Sequence, residues 1–165
     1  MRHQGLVWGL CLAISLTGLA ALPVEALAQL SDGQLFDEAS QAFDRHDYTL
    51  AVQKYEQLLQ QVGPNTPKAS GVYTNLSQIY IQQRDYVKAE QAIDKALVLL
   101  PQQFGENSSF IGITYTRLAH VYQEQKRYSE MRPALQKAVA ILRRYPGNES
   151  AITNLTSSFS SCTKI

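Results

Sequence analysis

Histidine and cysteine, two side chains that catalytic and metal sites use often, are scarce in this chain. The sequence contains three histidines and two cysteines in 165 residues, and none of them forms a recognised metal-binding, phosphate-binding or nucleophile motif. One chemically suggestive set is Arg117, His120 and Glu124, because i, i+3, i+7 spacing places these residues on one helix face. They form either a small ionic site or an ordinary solvated helix face. The sequence therefore predicts a protein that is not an enzyme and that uses no metal or cofactor.

The elements that would position such residues are defined by an internal repeat of about 42 residues, and a period of this length indicates a repeat architecture. The residues that recur exactly one period later are Tyr73, Leu76, Tyr80, Tyr86, Ala96 and Leu100. Within each copy the apolar residues step by three or four, as on one face of a helix, and a polar turn at 82–85 separates two such helices. One helix pair cannot bury its apolar face alone, whereas stacked pairs can. The pattern therefore predicts an all-α solenoid.

The repeat resembles the tetratricopeptide repeat (TPR). The matching residues of the second copy are Tyr73, Leu76, Ser77, Tyr80, Ala89, Ile93 and Pro101. The third copy departs from the pattern at Met131, which fills a slot that is normally alanine, and the first copy matches least well. Gly63, Gly105 and Gly147 lie one period apart, and each is expected to end a second helix. This period exceeds the usual TPR length of about 34 residues, and it resembles kinesin light chain-type TPRs.

The resemblance implies a right-handed α-solenoid of three helix-turn-helix units. The predicted TPR domain covers residues 29–146, and its units cover about 32–66, 67–107 and 108–146. Residues 147–165 begin like a fourth unit, in which Ile152, Leu155 and Phe159 form one apolar stripe. Such a segment suits a capping helix, with one face for the last repeat and one for water. A disordered Ser/Thr-rich tail is the alternative.

Residues 1–28 have the features of a secretory signal peptide. A short basic start precedes an uncharged, mostly apolar stretch at 5–22, and Ala26-Leu27-Ala28 supplies small residues at the cleavage position. The alternative is an uncleaved anchor, since a stretch of this length can just span a bilayer. Cys11 lies inside the apolar run and lacks the preceding triplet of a lipid-attachment site. We therefore expect export to the periplasm or an equivalent extracytoplasmic lumen.

In TPR proteins the first helix of each unit lines a concave groove, and this resemblance implies a function. The groove would hold a peptide or helical segment of a partner protein, so that the chain acts as an adaptor or scaffold in assembly or maintenance of an envelope or membrane complex. Nucleic acid is not an expected partner. The implied partner-binding positions are Phe36, Ser40, Phe43, Thr74, Gln78, Ile81, Thr116, His120 and Gln123. This groove is expected to be uncharged and moderately apolar, although Phe36 and Phe43 could equally be core residues.

The alternative function is a self-associating structural protein with oppositely charged ends. Residues 29–66 contain six acidic and two basic residues, whereas residues 112–146 contain two acidic and seven basic residues. Opposite charges at the two ends of an elongated solenoid favour head-to-tail contacts. Cys162, which would be the one cysteine left after signal cleavage, is either an unimportant tail residue or the site of an intermolecular disulfide.

If the charged ends attract each other, the protein will self-associate weakly at low salt, and this association will weaken at high salt because counterions screen exposed charges. Sedimentation at high protein concentration measures the effect. Sedimentation that does not change between low and high salt would contradict it. A dimer band on a non-reducing gel that disappears with Cys162→Ser would identify a disulfide instead.

Overall fold

The computed structural model describes residues 30–150, 152–154 and 157. Residues 30–150 form six helices and contain no β-strand. The helices are α1 (Asp32–Asp44), α2 (Tyr48–Val62), α3 (Ala69–Gln82), α4 (Tyr86–Phe104), α5 (Ser109–Glu124) and α6 (Tyr128–Leu142). Successive helices pack as pairs, α1 on α2, α3 on α4 and α5 on α6, and each pair falls within one predicted unit. The prediction of an all-α solenoid built from TPR-like units is confirmed.

The turn inside each helix pair is built in the same way three times. His46, Arg84 and Lys126 adopt the left-handed conformation, with φ between 59° and 61°, which is uncommon for residues other than glycine. The backbone N–H of the residue that follows each of them donates to a carbonyl five residues earlier, at 2.8–2.9 Å. The three repeated turns therefore close with one geometry, and each second helix leaves its turn in the same direction.

Side chains cap three of the six helices within residues 30–150. Ser31 and Gln34 form a capping box at the start of α1. Asp47 and Asp85 accept hydrogen bonds from backbone N–H groups in the first turns of α2 and α4. The equivalent position of α6 is Arg127, whose side chain makes no cap. It forms ion pairs with Glu90 and Glu130 instead.

Two buried clusters run along the solenoid. The first spans α1 to α5 and contains, among others, Leu35, Ala51, Tyr55, Leu76, Ala96 and Leu100. The second spans α3 to α6 and contains, among others, Ile81, Ala89, Ile93, Leu118, Met131 and Leu142. The small residue Ala89 is fully buried in the second cluster, as a close helix approach requires. Tyr80, Leu97 and Tyr115 pack against both clusters and so join them into one core.

The ends of the second helices match the expected glycine positions only in part. Gly63 and Gly105 directly follow α2 and α4 and have φ of 87° and 81°, as predicted. Gly147 also has a positive φ of 89°, but α6 ends at Leu142 and is capped by Arg143. The prediction that Gly147 ends α6, the second helix of the third unit, is therefore wrong. The helix stops a turn earlier, and a short irregular segment follows.

The residues after α6 are described only at a few positions. Residues 152–154 are helical, and Ile152 is half-buried against the second cluster. This contact is the one a capping segment would make with the last repeat. Leu155, Phe159 and Cys162, like the predicted signal peptide at residues 1–28, lie outside the described residues.

Two helical glycines make a matched test of the packing. A Cβ on Gly112 would lie 2.8 Å from Leu142 Cγ, whereas a Cβ on Gly71 would meet no atom within 4 Å. We expect Gly71→Ala to raise the free energy of unfolding by about 0.5–1 kcal/mol through helix propensity. Gly112→Ala should lower it, since overpacking of about 1–3 kcal/mol exceeds that gain. Urea denaturation of both variants measures the difference, and two shifts of the same sign would contradict the packing of α5 on α6.

Candidate functional site

The first helices of the three units carry the predicted partner-binding residues, and the structure brings several of them together. Ser40 and Phe43 on α1 and Gln78 on α3 line one open cleft of about 190 Å³. The other residues that line it are Asp44, Tyr55 and Asn75. On α5, His120 and Gln123 are exposed. We call the surface formed by these residues and by Phe36, Thr74, Thr116 and Arg117 the groove.

The two predicted aromatic residues of α1 lie at one end of the groove. Phe36 is 38% exposed and meets the Tyr55 ring edge-on, with 5.7 Å between centroids. Phe43 is half-buried and packs on Tyr48, with 5.9 Å between centroids. Neither side chain is fully buried, so each leaves an apolar surface that another molecule could contact.

Three other predicted partner-binding positions offer a ligand less exposed surface, or fewer hydrogen-bond donors, than the sequence suggested. Ile81 is only 7% exposed and belongs to the second buried cluster. The hydroxyls of Thr74 and Thr116 donate to carbonyls of their own helices, at 2.8 Å and 3.1 Å. These two hydroxyls can therefore only accept hydrogen bonds from a ligand, and Ile81 mainly supports the helices that line the groove.

A row of hydrogen bonds begins with a tyrosine that the repeat pattern treats only as a core residue. Tyr55 is 2% exposed, and its hydroxyl reaches between the first two units. There it lies 3.1 Å from Ser40 Oγ and accepts from Asn75 Nδ2 at 3.0 Å. Burial is the main cause that raises the pKa of Tyr55, so the phenol stays protonated at neutral pH. The contact fixes the relative position of α1 and α3 under the groove.

The row continues into the third unit through Arg117. Its Nε donates to Gln78 Oε1 at 3.0 Å, and its Nη1 is buried without a hydrogen-bond partner among the described residues. The ion pairs found in the described part of the chain do not include Arg117, and burial lowers the pKa of its guanidinium. The groove therefore contains a cation that this part of the chain does not neutralise.

This finding corrects two expectations from the sequence. The groove is not uncharged, and Arg117 does not lie on a simple solvated face with His120 and Glu124. Those two side chains are exposed and lie 3.6 Å apart, whereas Arg117 turns inward toward Gln78. The repeat register could have indicated the position of Arg117. Arg117 stands one period after Asn75, and both residues project into the row between the units.

Two further clefts lie along the second helices. One of about 510 Å³ is lined by Tyr73 and Lys95, among others, and one of about 320 Å³ is lined by Tyr115 and Lys137. In both clefts a lysine ammonium lies 5.0–5.1 Å from the centroid of the tyrosine ring. The same pair thus recurs one period apart, and it covers the core tyrosines rather than forming a separate chemical site.

The described residues carry neither a metal-binding cluster nor a helix that could span a membrane. They contain no group of three or more histidine, cysteine, aspartate or glutamate side chains that could hold a metal ion. None of their helices combines the length and hydropathy that crossing a bilayer requires.

The repeated helix pairs and their groove define a protein of the TPR class, and the resemblance inferred from the sequence is confirmed. Residues 28–156 match the model of the YfiO family, described as outer membrane lipoprotein. The chain belongs to this family. No curated protein matches the sequence.

Solved structures show the same fold at low sequence identity. BtubC (BKLC) from P. vanneervenii is 20% identical, with a TM-score of 0.72 over 81% of this chain, which spans 55% of that protein. The TPR2B domain of yeast Sti1, solved in complex with pHsp70, is 16% identical, with a TM-score of 0.65 and coverage of 81% and 96%. The Arabidopsis OM64 TPR domain is 16% identical, with a TM-score of 0.58 and coverage of 75% and 93%.

Replacing Arg117 tests whether its charge serves folding. Because the guanidinium is buried without an ion-pair partner, we expect Arg117→Met to leave the free energy of unfolding unchanged or to raise it by up to about 1 kcal/mol. Arg127→Met is the matched control, since Arg127 is paired with Glu90 and Glu130 at 2.6 Å and 2.8 Å, and it should destabilise the protein. Chemical denaturation measures both. Equal destabilisation by the two substitutions would show that Arg117 is a structural residue.

Proposed function

We propose that this protein is an exported interaction module that binds an extended peptide or a helical segment of another protein in the groove. The observation that carries the proposal is the polar row across three units, Ser40–Tyr55–Asn75 and then Gln78–Arg117. Such a row places polar groups along the groove in three consecutive units, where a bound segment would lie. The yeast Sti1 domain, whose solved structure is a complex with pHsp70, supports a binding role.

The groove indicates the chemistry of the segment that would fit it. Phe36 and Phe43 offer apolar contacts at the α1 end, amides such as Gln78 can donate and accept in the middle, and Arg117 supplies a positive charge on α5. A partner carboxylate near Arg117 would provide the counter-charge that this part of the chain lacks. We therefore expect a segment that combines an apolar anchor with an acidic residue, and we propose binding rather than catalysis.

The family supports an extracytoplasmic location for this activity. Its description as outer membrane lipoprotein agrees with the signal peptide predicted at residues 1–28, and together they favour a role in assembly or maintenance of an envelope or membrane complex. We do not extend lipid attachment to this chain, because Cys11 lies within the apolar run and lacks the sequence context of an attachment site.

Affinity capture from the native envelope extract tests the proposal, with the chain from Gln29 onward as bait. The groove variant is His120→Glu with Gln123→Glu, which adds two negative charges at exposed positions of α5. We avoid Ile81, since a charge at that buried position would unfold the protein. The matched control, Gln91→Glu with Gln136→Glu, makes the same charge change at exposed positions of α4 and α6.

We expect a partner that the wild type and the control retain and that the groove variant loses, with unchanged melting of all three proteins. Added negative charge would repel the acidic segment and compete for Arg117. A partner held equally by all three proteins would place the binding site elsewhere. Recovery of this protein alone would favour the self-associating alternative.

A further inference from the structure

One edge of the solenoid gathers the chain entry and the loops between units. Each helix pair returns to its starting side, so the starts of α1, α3 and α5 lie beside the ends of α2, α4 and α6. Side-chain hydrogen bonds of 2.6–3.2 Å confirm this arrangement. They join Gln61 to Leu30, Ser70 to Gln103, and Tyr145 to Asn107. We call this side the entry edge.

The entry edge carries an exposed apolar patch at the junction of α4 and α5. The rings of Phe104 and Phe110 lie 4.6 Å apart and are 44% and 48% exposed, and Ile113, one turn along α5, is 40% exposed. The equivalent positions one period earlier are Val62, Lys68 and Gly71, so repeat packing does not require aromatic residues there. Contiguous exposed apolar residues of this kind mark a contact surface.

We propose that the entry edge rests on a lipid bilayer, with Phe104 and Phe110 inserted at the interface between headgroups and acyl chains. The position of the patch argues for this occupant. Leu30 lies on the same edge, and the apolar stretch at 5–22 ends only eight residues before it. Eight residues span at most about 28 Å. Before signal cleavage, and throughout in the alternative of an uncleaved anchor, the entry edge is therefore held close to the membrane surface.

The charges around the patch indicate that apolar insertion dominates. Arg143 and Arg144 are exposed beside the edge, where they suit anionic headgroups. Glu106 and Glu149 are also exposed there and offset them. We therefore expect binding that depends strongly on the two phenylalanines and only weakly on salt. Insertion alone gives reversible attachment, and this is the attachment we expect of the chain from Gln29 onward. This inference does not depend on what the groove binds.

A single tryptophan can report the insertion. The one tryptophan of the sequence is Trp8, so the chain from Gln29 onward, which contains both buried clusters, has none. In Phe110→Trp, we expect the emission to shift to the blue when phosphatidylethanolamine vesicles with some phosphatidylglycerol are added. Vesicles with brominated acyl chains should quench it, because the indole would lie among the chains. The matched control is Val87→Trp, a 63% exposed position beside the opposite, intra-unit turn.

Removing the second aromatic residue completes the test. Phe104→Ser in the Phe110→Trp background should lower vesicle affinity by about tenfold, as expected for loss of one buried aromatic side chain, whereas Phe104→Leu should retain most of it. Circular dichroism confirms that each variant is folded. Absence of quenching at position 110, or equal quenching at position 87, would overturn the proposal. A blue shift that grows with protein concentration without vesicles would instead assign the patch to a second copy of this chain.

Discussion

The structure depends on one constraint, which is that no helix pair can bury its apolar face without a neighbour. Tyr80, Leu97 and Tyr115 satisfy this constraint at the junction of the units, because each packs against both buried clusters. Folding of one unit therefore stabilises the next, as expected for a solenoid whose interfaces contribute much of its stability. The same stacking sets the spacing of the first helices, so the packing that stabilises the fold also positions the groove side chains.

Polar contacts then fix the angle between units that apolar packing alone would leave adjustable. Between the first two units, the buried Tyr55 hydroxyl contacts both Ser40 and Asn75. Between the second and third, Arg127 pairs with Glu90 and also lies over the Tyr122 ring, 4.4 Å from its centroid. Hydrogen bonds to Glu90 and Glu130 are the main causes that raise the pKa of Arg127. The first junction thus relies on a buried neutral hydroxyl, and the second on a half-buried ion pair together with the hydrogen bond from Arg117 to Gln78.

The repeat made the fold predictable from the sequence. Prediction from the repeat failed at positions where equivalent residues of two copies have different roles. Tyr73 and Tyr115 occupy equivalent slots under equivalent lysines, and periodicity alone locates them. Ile81 is at a groove position by register yet lies in the second cluster, since the isoleucine fills space at the junction of two units. Arg117 follows the register of Asn75 but is larger and charged, so it turns inward to Gln78. Repeat register therefore predicts the position of a residue on its helix. The volume and charge of its side chain decide which neighbours it contacts.

Two features depart from the usual packing of a solenoid, and α5 contributes to both. An unneutralised guanidinium is partly buried in the groove, and an aromatic pair is exposed at the entry edge. Local violations of this kind usually mark functional sites. Phe110, Ile113 and Arg117 follow i, i+3, i+7 spacing, so they lie along one side of the same helix. A segment that enters the groove from the entry edge would meet the apolar residues first and the charge one turn later. In the two proposals taken together, α5 contributes Phe110 to the membrane contact and, two turns later, Arg117 to the groove.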